Sequence, residues 1–291
     1  MYIPIESINL QLLNIGYAKH NGDWNWKDVN SPFARIFYVT KGTAKIKILE
    51  SPSMKEVEYT LRPNYMYIIP AYTLHTYECT GPYELYYLHI YNGFKRETDV
   101  FDVYDLPTEV EVGKNTEMAF RTLYEKHPEF TLPASDPRSY DNRSMLIDYV
   151  NRYNNLELYE KMEIRGYLLL FFARFMKGAR PRIWTQDSRI SKVLRYIHNN
   201  LFDDIEIDEL AEVACLTKPY LIRIFKRDFG TSPLQYINRK KIERAQLILV
   251  TEDLPVKEVA YKLGFKDHSY FIRLFKKICG QTPQAYRATM K

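Results

Sequence analysis

The sequence predicts an α+β protein, with an antiparallel β-barrel or sandwich and its following helices at the front and an all-α tail of two helix-turn-helix units. Three observations predict it. The first hundred residues are rich in tyrosine and in alternating, strand-like segments, residues 109–177 read as helical with a heavy apolar load, and the last hundred contain an internal repeat. At 291 residues the chain can hold two cores, and 46% hydrophobic with 26% charged residues is an ordinary globular composition.

Residues 1–108 form the first expected domain. Strands are expected in RIFYVTKGTAKIKILE from Arg35, EVEYTLRPNYMYIIP from Glu56 and YELYYLHIY from Tyr83, with AKIKIL alternating as a half-buried strand does. Trp24 and Trp26 lie in an early polar segment, where they suit stacking on a ligand or closing over it. Next, residues 109–180 are expected to pack or dimerise through helices. Met145, Tyr149, Tyr153, Leu168, Leu169, Phe171, Phe172, Phe175 and Met176 are too apolar for an exposed surface and call for cover by the barrel, a second copy, or both. Arg165, Gly166 and Arg174 interrupt this stretch, so no membrane span is expected. The start, MYIPIESINL, lacks a signal-peptide pattern, and Cys79, Cys215 and Cys279 lack zinc or redox spacing. A cytoplasmic protein is expected. PRIWTQDS, residues 181–188, reads as a linker.

Residues 189–291 form the tail. Its first helix is expected over 189–200, with Ile190, Val193, Leu194 and Ile197 inward and His198 at an exposed end. LAEVACLTKPYLIRIFKRDFGTSPLQYI from Leu210 is then echoed by VAYKLGFKDHSYFIRLFKKICGQTPQAY from Val259. Each copy reads as helix, turn, helix. In the first, Thr217 suits an N-cap, Pro219 a first turn and Gly230 a left-handed C-terminal cap. Leu221, Ile224, Phe225 and Phe229 face inward, leaving Lys218, Ile222, Arg223, Lys226 and Arg227 outward. The outward set of the second copy is Lys266, His268, Ser269, Ile272, Arg273, Lys276 and Lys277, after an N-cap at Asp267. Between the copies a helix is expected from about 234 to 249, started by Ser232 and Pro233.

Charge separates front from back. From residue 183 on there are 19 Lys plus Arg against 13 Asp plus Glu, a balance of +6, whereas the preceding residues hold 22 against 23. A basic tail behind a neutral front suits a polyanion at the tail alone. Arg223 and Arg273 are long enough to meet the O6 and N7 edge of guanine, and Ile222 and Ile272 suit a thymine methyl or a sugar.

GF at Gly264, SYFIRLFKK from Ser269, TP at Thr282 and YR at Tyr286, preceded by LA, YL and RIFK in the first copy, resemble the DNA-binding domain of the AraC/XylS family of bacterial transcription regulators. Pro219 and Ile222 depart from the family, standing where many members carry polar base-readers. The strand, KG turn, strand and LRPNYMYIIPAYTLHTY order of the front resembles, more weakly, the cupin-like effector domain of many relatives. The resemblance implies double-stranded promoter DNA, RNA polymerase and a small-molecule effector, often a sugar, as partners, with homodimerisation and usually activation. It also implies that Lys41, His75, Tyr77 and His89 line the effector pocket, beside Trp24 and Trp26. The paired histidines of metal-dependent cupins are absent, and no phosphate loop or nucleophile elbow occurs. No catalytic residue, metal or cofactor is therefore expected. Two other readings stand beside this one: a cupin-type binder or enzyme with a DNA-tethering tail, and a barrel filled by its own side chains that only dimerises.

Overall fold

The computed structural model describes residues 5, 8–50, 55–92, 100–181 and 187–289, so most of the expected linker at 181–188 lies outside the described residues. In chain order the elements are β1 (Leu10–Asn21), β2 (Ala34–Gly42), β3 (Ala44–Glu50), β4 (Lys55–Leu61), β5 (Tyr65–Ile69), β6 (His75–Glu78) and β7 (Pro82–Asn92). There follow α1 (Val100–Val103), β8 (Tyr104–Asp105), β9 (Glu109–Glu111), α2 (Lys114–Lys126), α3 (Pro137–Tyr140), α4 (Arg143–Asn155), α5 (Leu158–Met176) and β10 (Arg180–Pro181). The tail holds α6 (Ser188–Asn199), α7 (Ile207–Ala214), α8 (Lys218–Phe229), α9 (Pro233–Thr251), α10 (Val256–Lys262), α11 (His268–Cys279) and α12 (Pro283–Thr289). The chain divides into two compact units, one holding Leu10–Gly93 with Asp105–Arg180 and the other chiefly the described residues from Pro181 on.

In the β unit, a five-stranded sheet of order β1-β7-β2-β5-β9 faces a three-stranded sheet of order β4-β3-β6. On β3, Ala44, Ile46 and Ile48 are buried while Lys45 is exposed, as a strand covered on one face requires. On β2 every residue from 34 to 39 is buried, because both faces are covered. Phe37 and Val39 enter the core between the sheets with Trp24, Tyr67, Tyr77 and Tyr83. Tyr38, on the opposite face, stacks on Phe120 of α2 at 5.6 Å, and Phe120 stacks on Phe171 of α5 at 4.0 Å. Tyr149, Tyr153, Leu168, Phe171, Phe172 and Phe175 are buried within this unit. The KG turn needs its glycine, since Gly42 has φ of 72° and a Cβ there would lie 1.9 Å from the Pro82 carbonyl oxygen.

The expectation of helix throughout 109–177 needs correction. Glu109–Glu111 is a strand paired with β5, and between the expected helices α2 and α4 the residues Pro128, Pro133 and Pro137 break the chain into a 3-10 turn at Pro128–Phe130, a loop, and the short α3.

In the helical unit, Ile190, Val193, Leu194 and Ile197 are fully buried on α6, as their spacing demands, and share one core with α7 and α8. A second core joins the latter half of α9 to α10 and α11. The Ser232 hydroxyl accepts from the Gln235 amide and the Gln235 side chain accepts from the Ser232 amide, a reciprocal cap that starts α9. At 19 residues α9 is longer than expected, about 28 Å at ~1.5 Å per residue. His198 is not at an exposed end: it is 4% exposed, with Nε2 3.1 Å from the Tyr236 hydroxyl, because α9 returns across the end of α6.

Candidate functional site

The second helix of each copy presents the same kind of face. On α8 Leu221, Ile224 and Phe225 are buried, Ile222 is half-buried, and Lys218, Pro219, Arg223, Lys226 and Arg227 are exposed. Phe229 is half-buried against the core. On α11 Phe271 and Phe275 are buried, Ile272 and His268 half-buried, and Ser269, Arg273, Lys276 and Lys277 exposed. The Asp267 carboxylate caps α11 by accepting from the Ser269 amide at 2.7 Å. Thr217 stands at the N-cap of α8 without a side-chain bond, so Pro219 in the first turn carries that start. Both helices end in left-handed glycines, Gly230 and Gly280.

Ion pairs divide the outward cations into two sorts. Lys218 is held by Asp208 at 2.9 Å, Lys266 by Asp204 at 2.5 Å and Arg227 by Asp228 at 2.6 Å. Among the described residues no carboxylate pairs with Arg223, Lys226, Lys276 or Lys277, and Arg273 lies a loose 3.9 Å from Asp267. The Arg223 guanidinium instead lies 4.9 Å from the ring centre of Tyr220, one turn earlier. Tyr220 is partly exposed beside that guanidinium, and Tyr270 holds the equivalent place in the repeat.

A second candidate site is a cavity of about 280 Å³ in the β unit, lined among others by Trp24, Tyr77 and His89. His20, Tyr17, Tyr87 and Tyr140 complete its aromatic wall, and the loop from Thr131 to Ser135 supplies hydroxyls. That loop is anchored where the Leu132 amide donates to the Tyr87 hydroxyl at 3.0 Å. Helix is expected here from the apolar content, and the loop's Pro-Ala-Ser-Asp-Pro run is the signal in the sequence that points to a loop instead. Burial pushes the His89 imidazole well below its ordinary pKa, and pushes His20 down against the opposing pull of Asp23. Both rings are therefore neutral near pH 7, and no carboxylate side chain is in the lining.

Three residues expected at such a pocket stand elsewhere. Lys41, at the strand end beside Gly42, is turned to the surface with its side chain 72% exposed, 3.7 Å from Glu84. His75 is buried behind Tyr77: its Nδ1 donates to the Thr73 carbonyl at 2.7 Å and its Nε2 accepts from the Tyr77 hydroxyl at 2.8 Å. Burial, with the Arg35 charge, pushes His75 down to about 3. Trp26 packs at the edge of the core between the sheets, outside the cavity lining. Trp24 is itself in that core, stacked on Tyr77 at 4.1 Å, and shows only part of its ring to the cavity. Among the described residues no three His, Cys, Asp or Glu side chains converge as a metal site, and no helix is long and apolar enough to cross a membrane.

Comparison with known proteins centres on the tail. The family described as a helix-turn-helix domain matches residues 210–289. Regulatory protein PocR of Salmonella typhimurium is 35% identical over 101 residues, 35% of this chain and 33% of that protein. The arabinose operon regulatory protein of Escherichia coli is 34% identical over 103 residues, 35% of each chain. Among solved structures, the C-terminal domain of the two-component response regulator yesN from Fusobacterium nucleatum is 34% identical, covering 34% of this chain and 98% of that one with a TM-score of 0.33. The chain spans about a third of the length of the curated relatives it matches.

Proposed function

Because its C-terminal third is a helix-turn-helix domain of the AraC/XylS type, we propose that this protein is a sequence-specific transcription regulator that reads two stretches of one promoter and answers to a small molecule bound in its β unit. The observation that carries the reading is the duplicated exposed basic helix, α8 and α11, mounted on one stiff, capped α9. Successive major grooves on one face of DNA recur about every 34 Å, so a connector of about 28 Å suits two readers on one duplex. Lys226, Lys276 and Lys277 would meet phosphate and release counterions. Arg223, Arg273, His268 and Ser269 would meet base edges, with Ile222 and Ile272 against methyl or sugar. Lys218, Lys266 and Arg227 would first have to leave their carboxylates, which favours flanking roles for them, and Pro219 would only shape the start of α8.

The cavity supports the sensing half of the proposal. Its volume sits at the lower edge of ligand pockets, roughly 300 to 1,000 Å³. Neutral imidazoles, phenols and hydroxyls, with no lining carboxylate and with the lining's Lys19 ammonium largely exposed and 3.9 Å from Glu84, favour a small uncharged ring compound bearing hydroxyl groups, a carbohydrate among them. Cupin-like binding, contact with RNA polymerase, activation and a cytoplasmic setting follow the family's usual pattern, and nothing in the lining favours turnover over binding. For the homodimer, α5 leaves Leu158, Met162 and Leu170 exposed along one stripe around Gly166.

Selection of bound sequences from a random duplex pool by the full-length chain, with and without a carbohydrate and metabolite mixture, tests this function. A two-part motif with parts about one helical turn apart is expected, with yield or spacing altered by the mixture. Absence of any motif in both conditions would sink the reading and send the β unit to binding and turnover assays.

A further inference from the structure

The two helix-turn-helix units are joined at a second place besides α9. The loop between α6 and α7 belongs to the first unit, and the turn between α10 and α11 to the second. They meet at Gly264, whose φ is 70° and where a Cβ would lie 2.5 Å from the Asp203 carbonyl carbon, so the backbones approach as closely as only glycine allows. On the same turn, Lys266 reaches Asp204 at 2.5 Å and Glu206 at 3.9 Å. From α9, Lys241 donates through Nζ to the Asp203 carbonyl at 2.7 Å, with its ammonium 5.2 Å from the Phe265 ring. Phe202 packs against both cores.

Lys241 is 4% exposed and has no carboxylate partner within ion-pair distance among the described residues. Burying an ammonium on one carbonyl, with the Asp203 and Asp204 carboxylates near but not in ion-pair contact, is a poor way to gain stability, because its desolvation outweighs these attractions. It is a good way to fix geometry. A helix of five turns can bend when held at its ends alone, and a clasp beside its middle removes that freedom.

We propose that Lys241 is a positioning residue: its clasp on the Asp203 carbonyl, with the backbone contact at Gly264, fixes the spacing and angle between α8 and α11 so that they read their two half-sites as one unit. The proposal rests on the DNA-reading function above. Two measurements on the full-length chain test it, comparing the wild type with Lys241→Met and with Asp204→Asn, which loosens the same junction at an exposed ion pair and leaves the cores intact. Without DNA, hydrogen exchange at 201–206 and 264–267 is expected to quicken together, about fivefold or more in Lys241→Met, while the amides of α8 and α11 hold. With DNA, Lys241→Met is expected to lose roughly tenfold on a two-part site and less than twofold on a duplex carrying one part. Its penalty for adding or removing one base pair between the parts should shrink. Asp204→Asn should show the same changes in smaller measure, and it carries the test if Lys241→Met does not fold. Equal losses on both duplexes, or an unchanged spacing penalty, would overturn the clasp. A wild type that binds neither duplex overturns the DNA-reading function instead, and the exchange measurement still decides the clasp.

Discussion

The Arg273 guanidinium, 69% exposed and only 3.9 Å from Asp267, can leave that loose pairing for a base edge at little cost. Arg273→Ala is expected to weaken specific binding by ~1 to 3 kcal/mol and relax one base position, whereas Lys276→Ala should mainly flatten the salt dependence. Titration on selected and random duplexes at several salt concentrations checks both; equal losses on the two duplexes for Arg273→Ala would count against base reading. His75 makes an acid prediction for the β unit. Its folded pKa of about 3 lies far below the ordinary 6.5, so its contribution is complete above pH 6.5 and is lost as pH falls toward 3. By pH 4.5 the loss is about 2 to 3 kcal/mol at ~1.4 kcal/mol per pH unit. Melting curves of the wild type between pH 7 and 4.5 should fall more steeply than those of His75→Asn. Lys241 has the same sign in the alkaline range. Burial lowers it to about 8 from 10.5, so between these values the unfolded chain holds more of the proton and stability gains as pH rises. The stability of the wild type relative to Lys241→Met should therefore improve from pH 8 to 10, as urea midpoints at the two pH values would show.

At the scale of elements, the turn of each helix-turn-helix shows how a repeat can be kept while its local chemistry differs. Cys215 and Gly264 occupy equivalent left-handed positions, with φ of 52° and 70°. A residue with a Cβ costs roughly 1 to 2 kcal/mol there, while glycine adds entropy to the unfolded chain. Cys215→Gly is thus expected to stabilise by about 0.5 kcal/mol, and Gly264→Ala to destabilise by ~2 kcal/mol or more, because its methyl would strike the Asp203 backbone. Urea denaturation of the two variants checks the opposite signs. The period of apolar residues made α6, α8 and α11 legible, and capping residues made the start of α9 legible to within two residues. It failed on either side of α2, at 109–111 and over 127–136. There the apolar residues of β9 and the loop serve a sheet built from distant strands, and their spacing alone does not say so.

For the whole molecule, the proposed function makes the number of readers on one promoter depend on whether α5 pairs with its copy. The exposed stripe at Leu158, Met162 and Leu170 predicts a dimer, and a charge in its middle should break it. Met162→Glu is expected to sediment as a monomer, to keep its affinity for one two-part site, and to lose the avidity gained on a pair of such sites. A wild type that sediments as a monomer at tens of micromolar would remove α5 from the account. β1 lines the cavity at Tyr17 to His20, and α4 and α5 both pack on β1, so a ligand that alters that strand has a short route to them. Coupling of that kind needs different ligand affinity in the two states of the dimer, and titration of ligand with and without DNA would measure it.

By itself the sequence determined the α+β division, the duplicated helix-turn-helix, the outward cations of α8 and α11 and the basic bias of the tail. These rest on short-range periodicity, caps and charge, which a chain carries wherever it folds. Only the tertiary structure decided that Lys41 stands at the surface, that His75 spends both ring nitrogens on Thr73 and Tyr77, and that His198 is covered by Tyr236. It alone sorted the cations into held and available ones, and it alone brought Asp203, Lys241 and Gly264 together. The contacts of Lys41, His198, Lys266 and Lys241 join residues from separate elements, and a contact between distant segments leaves no period in the sequence from which to read it; the partners of His75 are within two residues of it, and what the sequence does not show there is its burial.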